Sequence, residues 1–205
     1  LGYTHYLYIL SNELNAEAFA KVVDDFKKLI PKMEHLGVRL ADGDGEGEPT
    51  LNNDMIRFNG ARNCGHEKHK LGLLWPSNNA KGIAIFAKEK SEVIKDIWVA
   101  GLIVNKRICD GDCSYETFSV YRKPIKEGRE VEKNNIRFTF CKTNYKPYDF
   151  AVTVVCIILK HYFPNKIKVK SDGNIEQWKD AIDFVQYFLG YGADFELDED
   201  YNPDF

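Results

Sequence analysis

YTHYLYIL, residues 3–10, decides the fold. Its side chains alternate: Tyr3, His5, Leu7 and Ile9 share one face, and Thr4, Tyr6, Tyr8 and Leu10 the other. Both faces carry large side chains, which places this strand in the middle of a sheet rather than at its edge. Asn15 follows as a helix N-cap. Phe19, Val22, Val23, Phe26, Leu29, Ile30 and Met33 then recur at three- and four-residue steps, the pattern of an amphipathic helix. Pro31 should kink or shorten that helix, and Gly37 closes it.

Further along, MIRFNG (55–60), GIAIFA (82–87), DIWVAGLIVNKRIC (96–109), YETFSVYR (115–122), IRFTFCK (136–142) and KIKVK (166–170) read as strands. The DGD between Cys109 and Cys113 reads as a hairpin turn. Residues 61–81 show little regular pattern, and 123–134 read as a charged loop. PYDFAVTVVCIILKHYF (147–163) is a helix with Pro147 at its first position and Asp149 in its first turn. It is apolar nearly all round from Phe150 to Leu159, so it should be buried. His161, late in that helix, reads as a core or C-terminal capping residue. SDG (171–173) leads into a last helix near 174–189, with Ile175, Trp178, Ile182, Val185 and Phe188 on one face. Strands cluster in the middle and helices sit at the ends. The expected fold is α+β, with a largely antiparallel central sheet and about three main helices. Residues 1–193 read as a single domain, and 194–205 as a peripheral acidic tail.

With 205 residues, 44% of them hydrophobic and 29% charged, the chain can bury a core without disulfide or metal staples. Its net charge of −3 argues against a general nucleic-acid binder, although a local basic pocket is compatible with it. No apolar run approaches the ~18 residues of a membrane-spanning helix. The N-terminus lacks the pattern of a signal peptide. Five cysteines, an odd number at irregular spacing, point to a reducing, cytoplasmic setting.

Two constellations carry chemistry. Cys64-x-His66-x-x-His69 and Cys109-x-x-x-Cys113 together offer five metal-type ligands, four of which would complete a tetrahedral zinc if the segments meet. Neither is a C-x-x-C knuckle, and the same residues also read as buried thiols with loop histidines. The second constellation is KTNYKPYD (142–149), where a helix start offers free N–H groups to an anion. Lys142, Thr143, Tyr145, Lys146 and Tyr148 cluster there, and Arg57 and Asn59 could add a guanidinium and an amide. A capped helix with a solvated basic loop is the reading that this segment, taken alone, slightly favours over a site. The acidic loop at 41–50 offers Asp42, Asp44, Glu46 and Gly47 like half an EF-hand. It has Asn53 where the bidentate Glu should stand, so it reads as a solvated loop. No phosphate-cradling G-x-x-x-x-G-K-[ST] and no G-x-S-x-G nucleophile elbow is present. His5, flanked by tyrosines, is a candidate general acid–base as well as a candidate core residue.

The segments GYTHY (2–6), GEGEP (45–49), IRFNG (56–60), CGHE (64–67), CSYETF (113–118), CKTNYKPYD (141–149) and KVKSDG (168–173) span most of the chain. In them it resembles a family of small uncharacterised bacterial, phage and fungal proteins that begin with a GYTHY-type motif. Leu7 stands where that family often has Trp. The resemblance implies one compact domain in which His5, Arg57, Asn59, Lys142, Tyr148 and Asp149 belong to one motif set, and it transfers no mechanism.

The expected function is binding of an anionic small molecule, a nucleotide or phosphorylated metabolite. Lys142, Thr143, Arg57, Asn59 and Tyr148 would line the pocket, and Tyr3 and Tyr6 would stack on a ring. If the protein is an enzyme, a hydrolase or transferase, His5 works with Asp149 or Glu116 as its orienting carboxylate. The alternatives are a ligand-sequestering protein of the kind that blunts a nucleotide-based host defence, and a zinc-stabilised interaction module.

Overall fold

The computed structural model describes residues 3–66, 73–75, 107–125 and 131–203. The opening strand, β1 (Thr4–Ile9), is central, as its two large faces require. It lies antiparallel between β10 (Ile167–Ser171) and β9 (Ile136–Lys142), and β8 (Val131–Lys133) pairs with the far side of β9. The four strands form a sheet in the order β10-β1-β9-β8.

Two long helices stand between these strands in the sequence. Helix α1 (Ala16–His35) begins where the Asn15 side chain accepts the Ala18 N–H at 3.0 Å. It runs through Pro31 and on to His35, so the proline neither ends nor shortens it at that point. Gly37, at φ 89°, then turns the chain out of the helix. Helix α2 (Asp149–Tyr162) is buried at every residue from Asp149 to Leu159. The resulting order, β1-α1-β8-β9-α2-β10, is a split β-α-β arrangement. A long insertion opens it between α1 and β8.

That insertion builds a second sheet around β4 (Met55–Gly60). Strands β2 (Leu40–Ala41), β3 (Thr50–Leu51) and β7 (Phe118–Tyr121) all pair antiparallel with β4. Helix α1 joins the two sheets. Phe26 packs on Phe58 at 5.3 Å, and Phe58 on Phe118 at 5.1 Å, so one hydrophobic core is continuous through both. Buried Arg137 of β9 stitches them as well, donating to the carbonyls of Ser11 and Tyr121.

Several local expectations change. A short strand, β5 (Leu73–Trp75), forms inside the patternless 61–81 stretch, and β8 inside the expected 123–134 loop. Strand β6 (Arg107–Cys109) pairs with β5, not with β7, so the DGD turn does not close a hairpin. Pairing there was decided by contacts distant in sequence, which alternation along one strand does not encode. The strand expected at 82–87, and residues 96–106 of the next, lie outside the described residues. The final helix divides into a 3-10 turn (Ile175–Trp178) and α3 (Lys179–Leu189). His161 is exposed and stacks on Tyr191 at 3.7 Å rather than entering the core.

The acidic tail is docked. Phe195 is buried and stacks on Trp178 at 5.1 Å. Asp198 accepts the Val169 N–H at 2.9 Å and gives its own N–H to the Val169 carbonyl at 2.8 Å. The tail thereby pairs with the free edge of β10, which would otherwise offer unpaired groups to other strands. No helix among the described residues is long and apolar enough to cross a membrane.

Candidate functional site

His5 points from β1 to the inner face of the sheet and is 3% exposed. Its Nε2 lies 2.7 Å from Asp149 Oδ1, and its Nδ1 3.0 Å from Ser171 Oγ. An ionised carboxylate only accepts, so Nε2 carries the hydrogen in that contact. Tyr3 and Trp178 each set an edge-to-face ring 4.9 Å from the imidazole. The Asp149 carboxylate also accepts from Thr143 Oγ1 at 2.6 Å and from Arg107 Nε at 2.9 Å. Arg107 reaches onward to Asp180 on α3 at 2.8 Å. Burial alone would raise the Asp149 pKa. The attraction of His5 and Arg107, with the hydrogen bonds from His5 and Thr143, outweighs it and holds the group well below the usual carboxylate range. Burial likewise opposes the charge of Arg107, and the two carboxylates more than offset it.

This network ties β1, the start of α2, α3 and β6 together. Arg107 is the member that belongs to β6, and two residues later the same strand ends at Cys109. Three further contacts hold that stretch. The Ile108 N–H donates to the Tyr145 carbonyl at 2.7 Å, and Lys146 Nζ contacts Asp110 and the Asp112 carbonyl at 2.7 Å each. Asn144 and Tyr145 both take left-handed φ values, 52° and 56°. That turn brings Tyr145 back over Tyr3, where the rings stack at 4.0 Å.

At the end of β6, Cys64, His66, Cys109 and Cys113 converge. One ligand atom from each lies within 4.8 Å of all the others, and the four could hold a metal ion. The Cys64–Cys109 sulfurs are 3.6 Å apart, Cys109–Cys113 3.2 Å, and Cys113 Sγ to His66 Nδ1 3.3 Å. A tetrahedron with Zn–S near ~2.3 Å and Zn–N near ~2.0 Å has edges of about 3.5–3.8 Å. These three spacings, 3.2 to 3.6 Å, lie at or below that range, and all pairs stay within 4.8 Å, a cluster that an ion could draw into a tetrahedron. All three cysteines are buried and free. The Gly111 N–H donates to Cys109 Sγ at 3.3 Å, which stabilises a thiolate there. Hydrogen bonding from Cys113, against the effect of burial, draws the Cys109 pKa below the usual thiol value. Burial raises Cys64.

Backbone geometry allows this approach. Gly60 ends β4 directly beneath the 113 turn, where an added Cβ would stand 1.9 Å from the Cys113 carbonyl oxygen. The Cys113 N–H donates to the Ala61 carbonyl at 3.1 Å across the same contact. Gly65, between two ligands, has φ 78°, a conformation other residues adopt at a cost. His69 lies outside the described residues.

The remaining expected site residues are placed elsewhere. Alternation along β1 and β9 puts Tyr6 and Lys142 on the sheet face opposite His5 and Tyr3. Glu116 does not orient His5: its carboxylate accepts the Lys142 N–H at 2.9 Å. Arg57, on the second sheet, is paired with Asp42. Asn59 is buried and holds loops together, donating to the Gly43 and Tyr115 carbonyls at 3.0 Å each. Tyr148 is buried and donates to the Glu116 carbonyl at 2.7 Å. At the start of α2 the chain places its own carboxylate, Asp149, in the first turn, where an external anion was expected. The expected anion pocket is therefore divided among two sheet faces and a second sheet. The His5–Asp149 pair has the geometry of an acid–base dyad, yet it is enclosed by protein groups.

Two residues of the network carried no recognisable signal in the sequence: Arg107 sits in a mostly apolar strand and Asp180 in an amphipathic helix. Ser171, expected to satisfy backbone donors of the SDG turn, does accept the Gly173 N–H at 3.0 Å and also meets His5. No family model matches the chain, and no curated protein or solved structure matches it either.

Proposed function

We propose that the protein is a zinc-stabilised interaction module, with one zinc held by Cys64, His66, Cys109 and Cys113. The convergence of these four donors within 4.8 Å carries the reading. Sulfur and imidazole ligands at tetrahedral spacing suit zinc among common divalent ions. Four protein donors close the coordination shell, which is the pattern of a structural rather than a catalytic site. The ion would clamp the chain after β4 to the turn after β6, while Arg107 anchors that turn to the core. Burial of His5 supports the same reading, because a general acid–base must reach its substrate.

Elemental analysis of protein purified without added metal tests it. About one zinc per chain is expected, falling several-fold in Cys109→Ser. Wild-type protein that is folded, with reduced thiols and far less than stoichiometric metal, would overturn it.

A further inference from the structure

The central sheet has a second face, directed away from α1 and α2. The strand register arranges it in two rows. Lys170, Tyr6 and Phe140 lie side by side across β10, β1 and β9, and Lys168, Tyr8 and Phe138 form the next row. Lys142 continues the face beside Thr4. The four aromatic residues and three lysines are all half-buried. Tyr6 and Phe138 are nearly parallel, at 6.4 Å and 12°. Asp172 stands beside this face and accepts from the Tyr6 hydroxyl at 3.0 Å.

The C-terminal segment already uses part of this surface. Asp198 takes Lys168 at 3.0 Å, the Tyr201 carbonyl and the Asn202 side chain take Lys170 at 3.0 and 2.9 Å, and the Tyr201 ring packs edge-on to Tyr8 at 5.1 Å. A carboxylate on a lysine and a ring against a tyrosine reproduce, within one chain, the contacts of a phosphate and a base. Glu199 and Asp200 add negative charge between them.

We infer that this face binds single-stranded nucleic acid, with bases stacking on Tyr6 and Phe140 and phosphates on Lys142, Lys168 and Lys170, and that the tail competes for it. Aromatic platforms beside lysines accept unpaired bases with little sequence preference. The net charge of −3 excludes a generally basic protein and not a local one. The acidic tail lowers affinity in the full chain. The platform is separate from the cysteine cluster, and this inference does not depend on the zinc reading.

Fluorescence anisotropy with labelled 12-mers of uridine and of thymidine tests it, on the full chain and on a chain lacking residues 199–205. Binding should tighten at least tenfold on truncation. It should weaken about tenfold in Phe140→Leu, which keeps apolar bulk without a flat ring, and in Tyr6→Ala. Three phosphate contacts predict about twentyfold weaker binding between ~50 and ~200 mM salt. Preference for one oligomer assigns the platform to RNA or to DNA. Absence of binding by both chains, with circular dichroism showing them folded, would overturn the inference. So would equal binding of duplex, or indifference to Phe140→Leu. Metal content measured on the same samples keeps a failure here distinct from a failure of the zinc reading.

Discussion

Replacing Asp149 with Asn tests the buried network directly. The carboxylate accepts from His5, Thr143 and Arg107 through two oxygens. An amide has nearly the same shape but one acceptor atom. Whichever way it is turned, its NH₂ group faces a donor, either Arg107 Nε or the His5 and Thr143 pair. Arg107 also loses one of the two carboxylates that it contacts among the described residues, Asp149 and Asp180. Breaking a buried pair in this way costs about 3–5 kcal/mol. At roughly 2–4 °C per kcal/mol for a chain of this size, Tm should fall by about 6–20 °C. The pH dependence has a definite sign. The folded-state pKa of Asp149 is depressed, so its contribution is present above the unfolded value near ~3.9 and is lost as pH falls towards the folded one. The deficit of Asp149→Asn against wild type should narrow below about pH 4. Because Arg107 anchors the strand that carries Cys109, the variant should also release metal faster to a chromophoric chelator. Calorimetry across pH and chelator kinetics measure both. A Tm change under about 3 °C at neutral pH would refute the account, since it would mean that the amide satisfies the same donors.

Gly60→Ala should destabilise the metal site selectively, because the new methyl overlaps the Cys113 carbonyl at 1.9 Å; metal affinity should drop at least tenfold, read by competition with a chelator of known strength. Lowering pH should release the metal, because protons compete for three thiolates and an imidazole; loss should be complete by about pH 4–5 in a titration followed by elemental analysis of the retained protein. Phe195→Ala removes a buried ring stacked on Trp178 and should cost about 3–5 kcal/mol in urea unfolding, more than an ornamental tail would. His5→Gln should lower Tm by several degrees while leaving metal content unchanged, since His5 contacts Asp149 and Ser171 and none of the four metal-type ligands.

Elements were legible where side-chain period and burial agree. Strands Met55–Gly60 and Ile136–Lys142 and the Asn15 cap occur where the pattern puts them, since alternation and capping are local properties. The short strands β5 and β8 were not legible, because three residues hold too little period to distinguish a strand from a loop. At the site, His5 and Asp149 could be paired as candidates by residue type. Arg107 could not, because a single arginine in an apolar strand looks the same whether it is exposed or clamped between two carboxylates.

By itself, the sequence determined the α+β class, the central place of residues 3–10, a buried helix within 147–163 and the set of metal-type ligands. Each follows from what neighbouring residues impose on one another through backbone geometry and hydrophobic period. Only the tertiary structure decided that Cys64 meets Cys109 across 45 residues. It also put Lys142 on the sheet face opposite His5 and turned the acidic tail onto the lysines of β10. Those outcomes depend on strand order and on which face of the sheet the helices cover. They are set by burial summed over the whole chain, which no short window of residues contains.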